Sequence, residues 1–300
     1  MKVLLFGKNG QLGWELQRSL APLGELVALG ARGESMPSDF NDPDRLAETV
    51  GQVRPDVIVN AAAYTAVDKA QSDREAAHRV NALAPGVLAR AAHQCGALMV
   101  HYSTDYVFDG SGERPWREAD PTGPLNVYGA TKLEGEQHVA HECARHLIFR
   151  TSWVYGARGS NFAKTILRLA QERDHLKVVD DQFGAPTGAD WLADVTSHAI
   201  RATLQTPSRA GLYHAAAAGE TTWHGYARQV LGVAQAQGVA LRTTSDRVEP
   251  VGSEAFPTPA RRPGNSRLDT TALHSSFDLS APDWRVGVER MLCEVLAGQS

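Results

Sequence analysis

The amino-acid sequence predicts an α/β fold: a doubly wound parallel sheet with a smaller lobe, formed mainly by later residues, interleaved with it. Two observations carry this expectation. Six short apolar runs alternate with longer segments of helical period, and that rhythm loosens after about residue 153 into loops rich in Pro and Gly. Runs that are apolar at consecutive positions suit strands covered on both faces, and alternation with helices is the pattern of a parallel sheet. With 43% hydrophobic and 21% charged residues, the composition is that of an ordinary globular chain, which excludes a disordered or fibrous one.

The first run, "KVLLF" (2–6), stops after five apolar positions at a Gly-Lys-Asn-Gly turn, so it reads as a buried strand and not as a secretion signal. Leu12, Leu16 and Leu20 then repeat every fourth position, and Pro22 closes an amphipathic helix. Further strands are expected at "LVALG" (26–30), "DVIVNAA" (56–62), "LMVHYST" (98–104) and "LIFRTSW" (147–153). The last run, "GLYHAA" (211–216), is expected to return to the same sheet. Between these last two, and after them, "DDQFGAPTG" (180–188) and "EAFPTPARRPGNSRLD" (254–269) mark loops of the smaller lobe. The expected division is 1–153, joined by about 190–216, against a lobe drawn mainly from 154–300.

Motifs at the strand ends point to chemistry. "GKNGQLG" places Gly7, Gly10 and Gly13 between the first strand and the first helix. Small residues there let backbone amides approach a pyrophosphate, and the helix N-terminus favours negative charge, so a Rossmann-type dinucleotide site is expected. The second strand ends "LGAR". Gly30 takes the position where an acid would bind an adenosine ribose, and Arg32 follows, which tilts the expectation toward NADPH while NADH stays admissible. Ser103, Thr104 and Asp105 end the fourth strand, where ligands bind in such sheets. In "VYGATKLEGE" (127–136), Tyr128 and Lys132 share one helical face. A lysine cation beside a phenol favours its ionised form, so the pair is expected to make Tyr128 a usable acid.

Other classes are disfavoured. The net charge of −4 and the absence of a Lys/Arg run leave no footprint for nucleic acid. No apolar stretch approaches the ~20 residues of a membrane span. Cys95, Cys143 and Cys293 lack CxxC spacing, so neither a disulfide framework nor a zinc knuckle is expected, and free thiols suit the cytoplasm. His138, His141 and His146 read as solvated residues, not as a metal site.

The glycine turn, Thr104 and the Tyr128/Lys132 pair together resemble the extended short-chain dehydrogenase/reductase superfamily. Within it, "LLFGKNGQLGWELQ", "RPDVIVNAAAYTAVDKA", "HYSTDYVFDG", "PLNVYGATKLEGE", "FRTSWVYG", "DQFGAPTG" and "PARRPGNSRLD" are similar, segment after segment, to the dTDP-4-dehydrorhamnose reductase family. The resemblance spans essentially the whole chain. It implies reduction of a dTDP-linked 4-keto-6-deoxysugar by a nicotinamide cofactor, with Tyr128 giving the proton, Lys132 binding the nicotinamide ribose and Thr104 tuning the acidity. It further implies cofactor contacts from Gly10, Gln11, Leu12, Asp39, Phe40, Ala62, Ala63, Tyr64, Thr65 and Tyr102, and sugar contacts from Asp105 and Trp153. Arg261, Arg262 and Arg267 are candidates for the substrate diphosphate, Arg262 foremost. Some relatives are described as dimers bridged by magnesium. Asp190 stands where relatives carry glutamate, so magnesium is left unassigned, and a homodimer stays open. Two alternatives share the fold: a nucleotide-sugar epimerase or dehydratase, and a non-catalytic regulator resembling the regulatory subunit of methionine adenosyltransferase.

Overall fold

The computed structural model describes residues 1–31 and 35–298. Its centre is one sheet of six strands: β1 (Lys2–Phe6), β2 (Glu25–Leu29), β3 (Val57–Asn60), β4 (Leu98–Thr104), β5 (His146–Thr151) and β6 (Gly211–His214). They lie in the order β6-β5-β4-β3-β1-β2, and every neighbouring pair is parallel. All six apolar runs therefore join one doubly wound sheet, as their consecutive burial requires. Several strands end sooner than the runs that predict them. β3 stops at Asn60 because the Asn60 side chain accepts the Ala62 amide at 3.0 Å, turning the chain out of the ladder. β5 stops at Thr151, two residues before Trp153, whose φ of 48° is incompatible with a strand.

Alternation along β1 fills two layers. Val3 and Leu5 face one, with Leu16 and Leu20 of α1 (Gln11–Leu20) and Leu192, Val195 and Ile200 of a long helix at Ala189–Gln205. Leu4 and Phe6 face the other, with Leu46 and Val50 of α2 (Leu46–Val53), Leu88 of α3 (Ala84–Cys95) and Val139 of α4 (Val127–Glu142). A third apolar cluster lies apart from the sheet. It joins α5 (Phe162–Glu172) and the helices Trp223–Ala236 and Trp284–Ala297 around Ile166, Tyr226, Val230, Trp284 and Leu292. Two short parallel strands, Leu176–Val179 and Val248–Val251, edge it.

The chain leaves β1 for β2 on one side and returns to β3 on the other. Loops at the carboxyl ends of β1 and β3 consequently diverge and leave a crevice, the usual ligand position in open α/β sheets.

Candidate active site

A cleft of about 590 Å³ opens at that crevice. Gly10, Gln11, Leu12, Ala63, Thr65, Tyr102, Thr104, Asp105, Tyr128, Lys132 and Trp153 all line it, although the sequence spreads them over more than a hundred positions. Asn9, Ser103, Tyr106, Thr151, Ser160 and Trp223 line it too.

The glycine turn has a physical division of labour. Gly7 has φ 86°, and a Cβ there would lie 2.7 Å from the Ala61 carbonyl carbon. A Cβ on Gly13 would meet the Gly7 carbonyl oxygen at 2.0 Å. Packing within the protein thus requires both. At Gly10 a Cβ would find only the Gly7 oxygen at 3.5 Å, so the open space above it belongs to the cleft. Gly10 caps α1 with no side-chain acceptor, and no acid stands in the first turn, which leaves the helix amides for an anion.

The neighbouring loop is held by two asparagines that the sequence reading did not single out. Asn81 sits in a π-helical turn at Arg79–Leu83. It accepts the Tyr64 amide at 2.8 Å, donates to the Tyr64 carbonyl at 3.1 Å, and donates to Thr131 on α4 at 3.2 Å. Asn60 fixes Ala62 as described above. The signal for Asn60 was its place at the carboxyl end of a strand; Asn81 had none, since its partner lies 17 residues earlier.

Tyr128 and Lys132 stand on α4, whose N-cap Asn126 accepts the Gly129 amide at 2.9 Å. No hydrogen bond joins the lysine to the phenol. Lys132 is 2% exposed, and its Nζ donates to the Tyr102 carbonyl at 2.5 Å and lies 3.4 Å from His101 Nε2. A buried amine needs acceptors, and the Tyr102 carbonyl in β4 supplies one. Burial pulls Lys132 down to about 8, against the charge of Glu136. Burial pushes Tyr128 up to about 12; the Thr104 hydroxyl pulls it back and Asp105 adds to the rise. Thr104 is therefore a group that directly favours the ionised phenol.

Thr104 donates to Asp105 Oδ1 at 2.9 Å. Burial raises Asp105 to about 6, with the Ser266 and Thr104 hydroxyls opposing. Asp105 Oδ2, Ser103 Oγ and Thr151 Oγ1 are buried without hydrogen-bond partners, and all three residues line the cleft. Unmet polar atoms there suit a ligand rich in hydroxyl and amide groups. Trp153 stacks on Trp223 with ring centroids 3.7 Å apart, giving the far wall an aromatic face.

Other expected residues lie elsewhere. Phe40 is 5% exposed and packs edge-on against Phe6, while the Asp39 carboxylate accepts the Asn41 amide at 2.9 Å; neither lines the cleft. Arg32 falls outside the described residues. Arg262 directs its fork to Asp68, with both Nη–Oδ distances 2.7 Å, and Arg267 pairs with Glu220 at 2.5 Å over the Phe183 ring. Arg261 contributes its carbonyl, which accepts from Asn126 at 2.7 Å. Asp190 pairs with Arg290 at 3.0 Å. Among the described residues, no group of three or more His, Cys, Asp or Glu side chains is placed to hold a metal ion.

A parallel sheet with a crevice at its switch point, a glycine turn opening the first helix, and a Thr/Tyr/Lys set at the cleft define a nicotinamide-dependent enzyme of the extended short-chain dehydrogenase/reductase class. The comparisons narrow this. The family model for the RmlD substrate binding domain matches residues 1–297. The chain is 57% identical over 295 residues to dTDP-4-dehydrorhamnose reductase of Salmonella typhimurium, covering 98% of each chain, and 56% identical over 295 residues to that of Escherichia coli, again covering 98% of each. It also superposes on the dTDP-4-dehydrorhamnose reductase of Bacillus anthracis in complex with NADP. The TM-score is 0.88 and the identity 34%, over 98% of this chain and 99% of that one. The chain belongs to the dTDP-4-dehydrorhamnose reductase family.

Proposed function

We infer that this protein reduces the 4-keto group of dTDP-4-dehydro-L-rhamnose with NADPH to give dTDP-L-rhamnose, the last step of dTDP-rhamnose synthesis. The observation that carries this reading is the convergence of Thr104, Tyr128 and Lys132 on one cleft with the open N-terminus of α1, in a chain that matches reductases of this activity from end to end. The α1 amides with Gly10, Gln11 and Leu12 would hold the pyrophosphate. Ala62, Ala63, Tyr64 and Thr65 would lie along the dinucleotide, with Tyr102 and Lys132 toward the nicotinamide end. When bound, the nicotinamide supplies a hydride to C4 of the sugar.

The remaining chemistry falls to side chains of this chain. Tyr128 gives its proton to O4 as negative charge develops there. Thr104 faces the phenol, and turning its one hydroxyl proton from Asp105 Oδ1 to the oxygen left behind stabilises that oxygen. Asp105 offers its unpartnered Oδ2 to a sugar hydroxyl. Trp153, fixed in a left-handed conformation and backed by Trp223, packs its ring on the apolar face of the pyranose. Arg262 lies close enough to Tyr106 for its charge to oppose the rise in that phenol's pKa, and substrate diphosphate would compete with Asp68 for its fork. The lobe around the third apolar cluster forms the sugar-binding wall. No described helix is long and apolar enough to cross a membrane. A cytoplasmic location and a homodimer complete the proposal.

The test incubates purified protein with NADPH and dTDP-4-dehydro-L-rhamnose and identifies the sugar formed. One NADPH consumed per dTDP-L-rhamnose supports the reading. Conversion with no net NADPH consumption would instead mark an epimerase or dehydratase, which recycles its cofactor.

A further inference from the structure

Behind the cleft, three buried polar side chains form a line that the reaction above does not fully use. Asn60 ends β3, His101 lies within β4 and Lys132 stands on α4; they are 1%, 0% and 2% exposed. The Asn60 amide has one orientation only. Its Oδ1 must be the atom 3.0 Å from the Ala62 amide, because a backbone N–H requires an acceptor. Its Nδ2 then faces His101 Nδ1 at 3.2 Å as a donor.

The consequence reaches Lys132 through the imidazole. Burial and the nearby lysine hold His101 well below its ordinary range, so the ring is neutral. A neutral ring that accepts at Nδ1 carries its proton on Nε2. That N–H faces Lys132 Nζ at 3.4 Å. An ammonium has three donors and no lone pair, so only the neutral amine can accept it. Around the lysine, the Tyr102 carbonyl accepts from Nζ, and Tyr128 and Glu136 stand one turn back and one turn on along α4. Glu136 opposes the effect through its charge, but Arg150 of β5 already grips it at 2.9 and 2.7 Å.

We propose that His101 is a positioning residue: locked by Asn60 with its proton on Nε2, it presents a donor to Lys132, favours the amine over the ammonium, and so sets the pH at which the lysine changes charge. The proposal rests on the reading of Lys132 as part of the reductase site, yet its first test requires no turnover.

Nitrogen-15 NMR of protein labelled at histidine, with the His101 signals assigned by their loss in His101→Gln, reports the tautomer directly. The expected result is a neutral ring protonated at Nε2 from pH 6 to 9; protonation at Nδ1, or a charged ring, would overturn the proposal. Asn60→Asp supplies the second test. It keeps an acceptor for Ala62 but turns an acceptor toward Nδ1, which moves the ring proton there and leaves Nε2 to accept from the ammonium. The alkaline limb of kcat/KM should then rise by about one pH unit, the size of a single hydrogen bond. His101→Leu, which removes the donor, should also raise it. His101→Gln, which can present an amide N–H to Lys132, should stay near the native limb. A limb unmoved in both Asn60→Asp and His101→Leu would refute the mechanism. Absence of reductase turnover in the native protein would sink the functional reading and leave the tautomer result to stand or fall separately.

Discussion

Glu136→Gln should unfold the protein several degrees early. Glu136 and Arg150 form a fork-to-fork pair at 2.9 and 2.7 Å, with side chains 4% and 5% exposed. Arg150 also donates to the Glu118 carbonyl at 3.3 Å and lies 5.1 Å over the Phe108 ring. Its buried neighbour His214 is driven down to about 3 by burial and by the Arg150 charge, so it stays neutral and Glu136 carries the compensation. Glutamine keeps the shape and removes the charge, which leaves the guanidinium buried and uncompensated. Breaking such a pair from one side costs about 3–5 kcal/mol. An unfolding entropy of about 2.1 cal/mol/K per residue, over 300 residues, converts that to a fall in Tm of roughly 5–8 °C. Differential scanning calorimetry measures it. The control is Glu172→Gln, which breaks the i,i+4 pair Arg168–Glu172, 59% and 52% exposed, and should move Tm by less than about 1 °C. Replacing both partners with apolar residues, Glu136→Leu with Arg150→Met, should recover much of the loss. The same single variant removes the charge that holds Lys132 up, so its alkaline limb should fall below about 8. If Glu136→Gln melts within 1 °C of the native protein, the pair does not bear the burial energy assigned to it.

Three further outcomes are expected. Gly13→Ala places a methyl 2.0 Å from a carbonyl oxygen and should destabilise the fold by about 1–3 kcal/mol, whereas Gly10→Ala should leave Tm unchanged and weaken NADPH binding in calorimetric titration. Asp105 is raised from 3.8 to about 6, so the folded chain holds that proton more tightly than the unfolded one, and its contribution to stability is lost as pH rises from about 4 to about 6. Asp105→Asn should accordingly gain stability over the native protein at pH 7 relative to pH 4.5, read from denaturant midpoints; equal differences at both pH values would contradict the raised value. Arg262→Ala should raise KM for the nucleotide sugar at least tenfold with little change in KM for NADPH, and an unchanged sugar KM would remove Arg262 from the substrate site.

Much of the sheet was legible because its strands are buried on both faces and read as unbroken apolar runs. Their ends were less legible. "DVIVNAA" stays apolar past Asn60, and only the Asn60 side chain, by capturing the Ala62 amide, ends the strand. Local spacing located residues of the cleft that lie at one turn or one strand end, such as Gly10 and Thr104 with Asp105, while Gln11 and Leu12 came from the family resemblance. It placed Lys132 on the face of Tyr128 but gave no sign of the Tyr102 carbonyl, since helical periodicity fixes a face but not where a long flexible chain finds its acceptor. Trp223 and Asn81 carried no local signal, because what makes them part of the site is packing against residues 70 and 17 positions away. Arg262 matched a phosphate-binding type, but the chain had placed Asp68 opposite it, a pairing invisible at a separation of 194 residues.

In the proposed function Tyr128 delivers the proton while this cleft reduces the sugar. Single-turnover measurements of NADPH absorbance, at saturating dTDP-4-dehydro-L-rhamnose, compare the native protein with Tyr128→Phe. Unchanged NADPH affinity and a rate lower by about 10²–10⁴-fold are expected in the variant, because the ring remains and the transferable proton is gone. A Tyr128→Phe protein that reduces the sugar at the native rate would contradict it.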